Sequence, residues 1–401
     1  MASVSIGQRV AIARRRRGLS QAVLANLIGR SESWLSQVER GVRSVDRLPV
    51  LMDLAEVLHV EVETLLGRPW EYAPNGGSTP PDLDATRRYL NGYQHLFPAG
   101  EDGSAVDEPL AVAIARGHAN YQAARYAAVS ADLPAVLTRV DRLLRQARPL
   151  AVESTTAYVS GYLLAAKLLR KLGALDLAML ASDRAATSAM ESDSDAYRAL
   201  TAYQVVEGLL RADQVADAET LAMSSASAFD AERRRDEPEL VSAVGALWLL
   251  AAVIAARRTS KFEALDRLRQ AEALADLLGR DANYGWTGFG PTNVAIHRVS
   301  VAAELGEAGE ALSAAQSVRL EQLPAGLTGR RAQLHIELAW AYAQGRRDSD
   351  ATLHLMEAEK IAPELLRYNP LVREHIREML TRAKSGTTAL HDLAVRAGVL
   401  D

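Results

Sequence analysis

Eight histidines are the side chains best suited to proton transfer or metal binding near neutral pH. His59, His95, His118, His297, His335, His354, His375 and His391 are scattered, and none has a carboxylate or a second histidine at a spacing typical of a metal site. The 401-residue chain has no cysteine, which removes thiol nucleophiles, disulfides, thiolate zinc sites and iron–sulfur clusters. No G-x-x-x-x-G-K-[ST] loop, G-x-G-x-x-G turn, H-E-x-x-H pair or G-x-S-x-G elbow occurs. Paired carboxylates such as Asp193 and Asp195 fall in alanine-rich helical stretches, where they read as solvated faces or helix caps. The residues therefore predict no catalytic centre, no metal and no cofactor, and they favour a protein that binds.

The chemistry that is concentrated is cationic. Nine arginines (Arg9, Arg14, Arg15, Arg16, Arg17, Arg30, Arg40, Arg43 and Arg47) stand against Glu32, Glu39 and Asp46 in the first 47 residues, a balance of +6. The whole chain carries -4, so the remainder carries -10. A basic head on an acidic body suits a polyanion at one end and another partner, cationic or polar, at the other.

The elements that must position those arginines are helices. Hydrophobic residues make up 48% of the chain and aromatics only 5%, and alanine and leucine dominate between sparse prolines. In the head, Ser5 and Gln8 form an S-x-x-Q capping box before a run to Arg17, which Gly18 ends. Ser20 caps a second helix, in which Val23, Leu24, Leu27 and Ile28 fall at helical spacing, and Gly29 supplies the turn. Ser31 caps a third helix, with Leu35 and Val38 inward, closed by Gly41. LPVLMDLAEVLHV and VETLLG add two more. Two short helices joined by a tight turn, backed by small apolar helices, is the helix-turn-helix arrangement.

GQRVAIARRRRGLSQAVLANLIGRSESWLSQVERGVRS followed by LPVLMDLAEVLHVEVETLLG closely resembles the lambda repressor and Cro family, also called the xenobiotic response element family. The resemblance implies binding to double-stranded DNA. It implies that Gln21 anchors a phosphate at a helix N-terminus, and that Ser31, Glu32, Ser33 and Gln37 face base edges in the major groove. Arg43 is then placed to meet backbone phosphate, and Arg14 and Glu39 match a pair tying the first helix to the third. The acidic Glu32 and bulky Trp34 depart from the family's usual reading helix, so the operator does not follow from the sequence. Arg15, Arg16 and Arg17 would add salt-dependent phosphate affinity.

RPWEYAPNGGSTPPD, beginning at Arg68, gathers proline, glycine and small polar residues. It divides the chain into a head at 1–67, a linker at 68–84 and a body at 85–401. In the body a turn recurs with a small residue at fixed distance: LGALDLA ends at Ala178, ADQVADA at Ala218, RTSKFEA at Ala264, LGEAGEA at Ala311 and GRRDSDA at Ala351. A period of 40 to 47 residues with two helices each indicates an α solenoid of about six pairs, and the alanines resemble the tetratricopeptide repeat. The expected fold class is all-α: a five-helix repressor-type helix-turn-helix domain followed by a tetratricopeptide-like solenoid. An aromatic, glycine-rich interruption at 279–306 offers Trp286, Phe289, Asn293 and His297 as the lining of a ligand pocket.

Head and body together resemble actinobacterial regulators that couple a repressor-type head to a tetratricopeptide-like body, and, more distantly, the peptide-sensing regulators of Gram-positive bacteria. That resemblance implies a homodimeric transcription regulator whose body senses a peptide, small molecule or protein. No apolar core precedes a cleavage site, and no run reaches the roughly 18 apolar residues of a membrane span. A cytoplasmic protein without a membrane partner is expected. The alternative is an interaction scaffold whose solenoid binds a protein partner while the head docks.

Overall fold

The computed structural model describes residues 5–17, 19–43, 45, 48–58, 60, 65, 81, 83–92, 108–146, 152–383 and 388–400. Among the described residues every regular element is helical, so the all-α class expected from composition is the class observed. The chain divides into two compact units, Met1–Pro74 and Asn75–Asp401. Of the expected linker only Pro81, Leu83 and Asp84 fall within the described residues.

The first unit contains α1 (Ile6–Arg16), α2 (Gln21–Leu27), α3 (Glu32–Glu39) and α4 (Leu48–Leu58). Each start follows from its cap. Ser5 accepts from the Gln8 N–H at 3.3 Å while the Gln8 side chain accepts from the Ser5 N–H at 2.9 Å, a reciprocal capping box. Ser20 and Ser31 accept from the N–H groups of Val23 and Trp34 at 3.2 and 3.1 Å. The turn between α2 and α3 needs Gly29, whose φ of +63° disfavours an L side chain. Val10, Leu24, Leu35, Val38, Leu54 and Leu58 form the core. Val23 and Leu27, expected on the same apolar stripe as Leu24, are instead exposed. The seven-residue α2 lies on the surface of this small unit, so it turns only Leu24 and Ala25 fully inward. Helix α1 approaches α3 so closely that a Cβ on Gly7 would lie 1.9 Å from the Val38 carbonyl oxygen. The expected fifth helix lies outside the described residues except for Leu65, which is helical and fully buried.

The second unit opens with α5 (Asp84–Asn91), followed by six helix pairs: α6 (Leu110–Gln122) with α7 (Tyr126–Gln146), α8 (Val152–Lys171) with α9 (Leu175–Met190), and α10 (Asp195–Arg211) with α11 (Val215–Ser227). Then come α12 (Pro238–Arg257) with α13 (Lys261–Leu278), α14 (Pro291–Glu304) with α15 (Ala308–Ala315), and α16 (Thr328–Gln344) with α17 (Asp348–Ile361). Helices α18 (Pro363–Tyr368), α19 (Pro370–Arg382) and α20 (Thr388–Arg396) finish the unit.

One turn builds all six pairs. A residue with positive φ (Ala124, Gly173, Asp213, Thr259, Gly306 or Arg346) ends the first helix. Its N–H reaches the carbonyl three residues back, and the next N–H reaches five residues back, as in Thr259 to Ala256 and Ser260 to Ala255. Five residues after the turn stands the expected alanine: Ala178, Ala218, Ala264, Ala311 and Ala351 are each at most 2% exposed. The small side chain is what lets the returning helix lie close to its partner.

The first helices of successive pairs pack against one another as an inner layer, with the second helices outside. Helix α6 also meets α16, where a Cβ on Gly329 would lie 2.9 Å from the Gln122 carbonyl oxygen. Helix α12 corrects the expectation about membrane spans. It is long and apolar enough, by length and composition, to cross a bilayer, yet 83% of that stretch is buried inside the fold. A helix at the middle of the inner layer has neighbours on nearly every side and is apolar all round for that reason.

Candidate nucleic-acid interface and body cavity

In the first unit the side chains named from the sequence divide into a lock and a face. The lock joins three helices. Arg14 on α1 donates from Nε and Nη2 to the two oxygens of Glu39 on α3, at 2.6 and 2.8 Å, and from Nη1 to the Leu19 carbonyl at 2.7 Å. Gln21, the first residue of α2, donates from Nε2 to Glu39 at 2.7 Å. Both charged side chains are nearly buried, at 10% and 5% exposure. Burial alone would raise the Glu39 carboxyl, but the hydrogen bonds from Arg14 and Gln21 and the charge of Arg14 outweigh it and hold the carboxyl below its ordinary range. One amide hydrogen of Gln21 is thus committed to the lock.

The face is the outer side of α3. Glu32 and Ser33 are exposed in its first turn, and Gln37 follows Ser33 by four residues on the same side, half-buried. Ser31 is exposed, its oxygen occupied in capping Trp34. Arg43 is exposed beyond the turn at Gly41. Trp34 packs partly on the core with the Arg30 guanidinium over its ring at 5.7 Å. Of the arginine run, Arg15 and Arg17 are exposed, but Arg17 donates to the Val57 carbonyl and so helps hold α1 to α4. The Arg16 side chain lies outside the described residues.

In the second unit the four residues expected to line one pocket do not stay together. Trp286 lines a cavity of about 520 Å3. Phe289 does not: it is fully buried, and its ring fills the space a Gly245 side chain would need, 2.1 Å from that Cβ position. Asn293 is 2% exposed inside α14, with its side-chain oxygen buried and unpartnered. His297 donates from Nδ1 to the Asn293 carbonyl at 2.8 Å, and burial pushes its ring down to about 4, so it is neutral. A short 3-10 turn at Tyr284–Trp286 precedes the separation: Trp286 stacks on His118 while Phe289 packs over Gly245.

Trp286 is held from three sides. Its ring stacks on His118 of α6 at 5.1 Å and 4°, and its carbonyl accepts from Gln122 at 3.2 Å and Lys167 at 3.3 Å. Its own φ is +59°, a strained value for a tryptophan. His118 is itself buried; burial and the neighbouring Lys167 push it well below the ordinary histidine range. Nε2 lies 3.1 Å from the Ser160 carbonyl, which fixes it as the donor and leaves Nδ1 as a bare acceptor with no partner.

The chain resembles known proteins in two respects. Residues 5–66 match a family model described as a helix-turn-helix domain. A solved structure of Bacillus thuringiensis PlcR, in complex with the peptide PapR7 and DNA, is 13% identical, covering 69% of this chain and 96% of that one with a TM-score of 0.31. A score that low assigns nothing to this chain. A comparison with curated proteins finds no match. The helix-turn-helix expected from the sequence therefore stands on its own residues and on the family match.

Several organising groups escaped the sequence reading. Arg170 of α8 pairs with Glu207 of α10, which also accepts from the Tyr203 hydroxyl at 3.0 Å. Lys171 and Arg211 act on the same pair, and Arg330 acts on Lys171 and Tyr203 beside it, so this part of an acidic body is locally basic. Burial and the charge of Arg170 push Lys167 down to about 7 and Lys171 to about 8. His335 and His354 meet with their Nδ1 atoms 3.1 Å apart, although 19 residues separate them in sequence. Among the described residues no group of three or more His, Asp or Glu is placed to hold a metal. Only the arginine and glutamate of the first lock carried a sequence signal, through the family resemblance; Arg170 and Glu207 join different helix pairs, and His335 and His354 the two helices of one pair.

Proposed function

We propose that this protein is a sequence-specific DNA-binding transcription regulator of the repressor and Cro type, homodimeric, cytoplasmic, and acting by binding rather than catalysis. Its body is a tetratricopeptide-like effector-binding module. The observation that carries the reading is the arrangement of α2 and α3: one buried carboxylate, Glu39, fixes both helices to α1 and leaves Glu32 and Ser33 exposed with the half-buried Gln37 beside them. Polar side chains on a rigid helix face, beside an exposed Arg43, fit base edges and phosphate respectively. Gln37 pairs with adenine and Glu32 accepts from cytosine in this account. Two heads occupy half-sites about one helical turn apart, and effector binding to the body alters how they share the site.

The test is the salt dependence of binding to duplex DNA by full-length protein, read by fluorescence anisotropy. Arg43→Ala should weaken binding to all sequences and reduce the slope of log K against log salt by about one. Gln37→Ala should leave the slope alone and flatten the preference among sequences. Identical slopes and preferences for the wild type and both variants would sink the proposal.

A further inference from the structure

The cavity beside Trp286 lies between α6, α8, the start of α10, the start of α12 and the 3-10 turn. Its volume of about 520 Å3 is in the range of small-molecule sites. Its polar wall has one sign. Asp236, Glu237 and Glu239 line it, and no lysine or arginine does. Glu237 is satisfied by Arg234, at 2.8 and 2.7 Å, and that arginine also holds Asp195. Asp236 and Glu239 have no ion-pair partner among the described residues, and both are exposed.

A row of carboxylates alone would be a solvated helix start. Two further features make this a built site. His118 lines the same cavity, is 1% exposed, and has its Nδ1 acceptor buried without a partner. The Trp286 ring, strained at its backbone and clamped through its carbonyl, forms an adjoining wall with one face already taken by His118. Tyr197 adds a second aromatic surface. Unpaired carboxylates and aromatic faces are complemented by a donor-rich cation, because an ammonium or guanidinium supplies N–H groups to Asp236 and Glu239 and a charge to the rings.

We propose that this cavity binds an organic cation, an ammonium or guanidinium carried on an apolar body, with Asp236 and Glu239 holding the charge and Trp286 and Tyr197 covering the body. The proposal rests on the reading of the second unit as an effector-binding module and names the chemical class of its ligand. Its ligand binds in the absence of DNA, which separates it from the function of the head.

The test uses the full chain without DNA and three probes of one shape: phenethylammonium, the neutral 2-phenylethanol and the anionic 3-phenylpropionate. Calorimetry and tryptophan emission are read together. The expected result is saturable binding of phenethylammonium, at least tenfold tighter than either isostere. An Asp236→Asn, Glu239→Gln variant should lose at least tenfold, and Trp286→Phe should abolish the emission change while the other tryptophans remain. No saturable binding of phenethylammonium at millimolar concentration, equal binding of the anion, or an undiminished affinity in the Asp236→Asn, Glu239→Gln variant overturns it. A DNA titration on the same samples reports on the effector reading separately: binding of the cation with unchanged DNA affinity upholds this site and refutes that reading.

Discussion

Replacing Glu39 by alanine should unfold the first unit and leave the second intact. Glu39 accepts three hydrogen bonds, two from Arg14 and one from Gln21, at 2.6 to 2.8 Å, and its side chain is 5% exposed. Glu39→Ala strands the Arg14 guanidinium, 10% exposed, without a counter-charge. Breaking such a pair from one side costs roughly 3–5 kcal/mol. A unit of about 70 residues holds roughly 4–11 kcal/mol in all, so a large part of its stability goes. Replacing both partners with methionine should cost far less, about 1 kcal/mol, because no charge is then left buried. Hydrogen exchange followed by mass spectrometry on the full chain measures this directly, with peptides from α1 to α3 as the probe and those from α8 to α13 as the internal reference. Protection of α1 to α3 in Glu39→Ala within about 1 kcal/mol of the wild type would refute the lock, as would an equal loss in the single and double variants.

Three other outcomes follow from the second unit. Thr259→Gly should raise its thermal midpoint, since threonine at φ +59° carries roughly 1–2 kcal/mol of strain and glycine's greater freedom when unfolded returns only part of it; a lower midpoint would contradict the turn geometry. Glu207→Gln should destabilise the unit by about 3 kcal/mol in urea titrations, because Arg170 then shares its surroundings with Lys167 and Lys171 and no carboxylate; an unchanged midpoint would mean the cations are already neutralised. Acid should loosen the body. His297 is held down at about 4 by burial, so between there and the ordinary 6.5 the unfolded chain binds the extra proton, and stability falls as pH drops through that window. His118 acts in the same direction. Together these should cost at least roughly 3 kcal/mol by pH 4, and a flat profile from pH 6.5 to 4 would contradict the neutral assignments.

Local signals were legible in the sequence and long-range ones were not. Ser5, Ser20 and Ser31 cap helices because a serine oxygen three residues before an amide meets it directly, a contact written in adjacent letters. The five repeat alanines were legible for the same reason: the turn that precedes each one is local, and only a small residue suits the close return. The residue at positive φ varies, glycine at two of those turns and aspartate, threonine or arginine at the others, because the backbone bonds of the turn do not depend on the side chain. Phe289 was misread because an aromatic beside glycines looks the same in sequence whether it lines a cavity or plugs the gap over Gly245. Arg170 with Glu207, and His118 with Trp286, stand 37 and 168 residues apart. Which helices of the inner layer become neighbours sets those contacts, and a repeat spacing does not specify it.

Selection of bound duplexes from a random-sequence pool, at physiological salt, tests the central claim most directly, using the full-length protein beside a Glu32→Ala, Gln37→Ala variant. The account predicts a two-fold symmetric motif with half-sites about one helical turn apart for the wild type, and its loss or relaxation in the variant at the positions α3 reads. No enriched motif, or the same motif from both proteins, would contradict it.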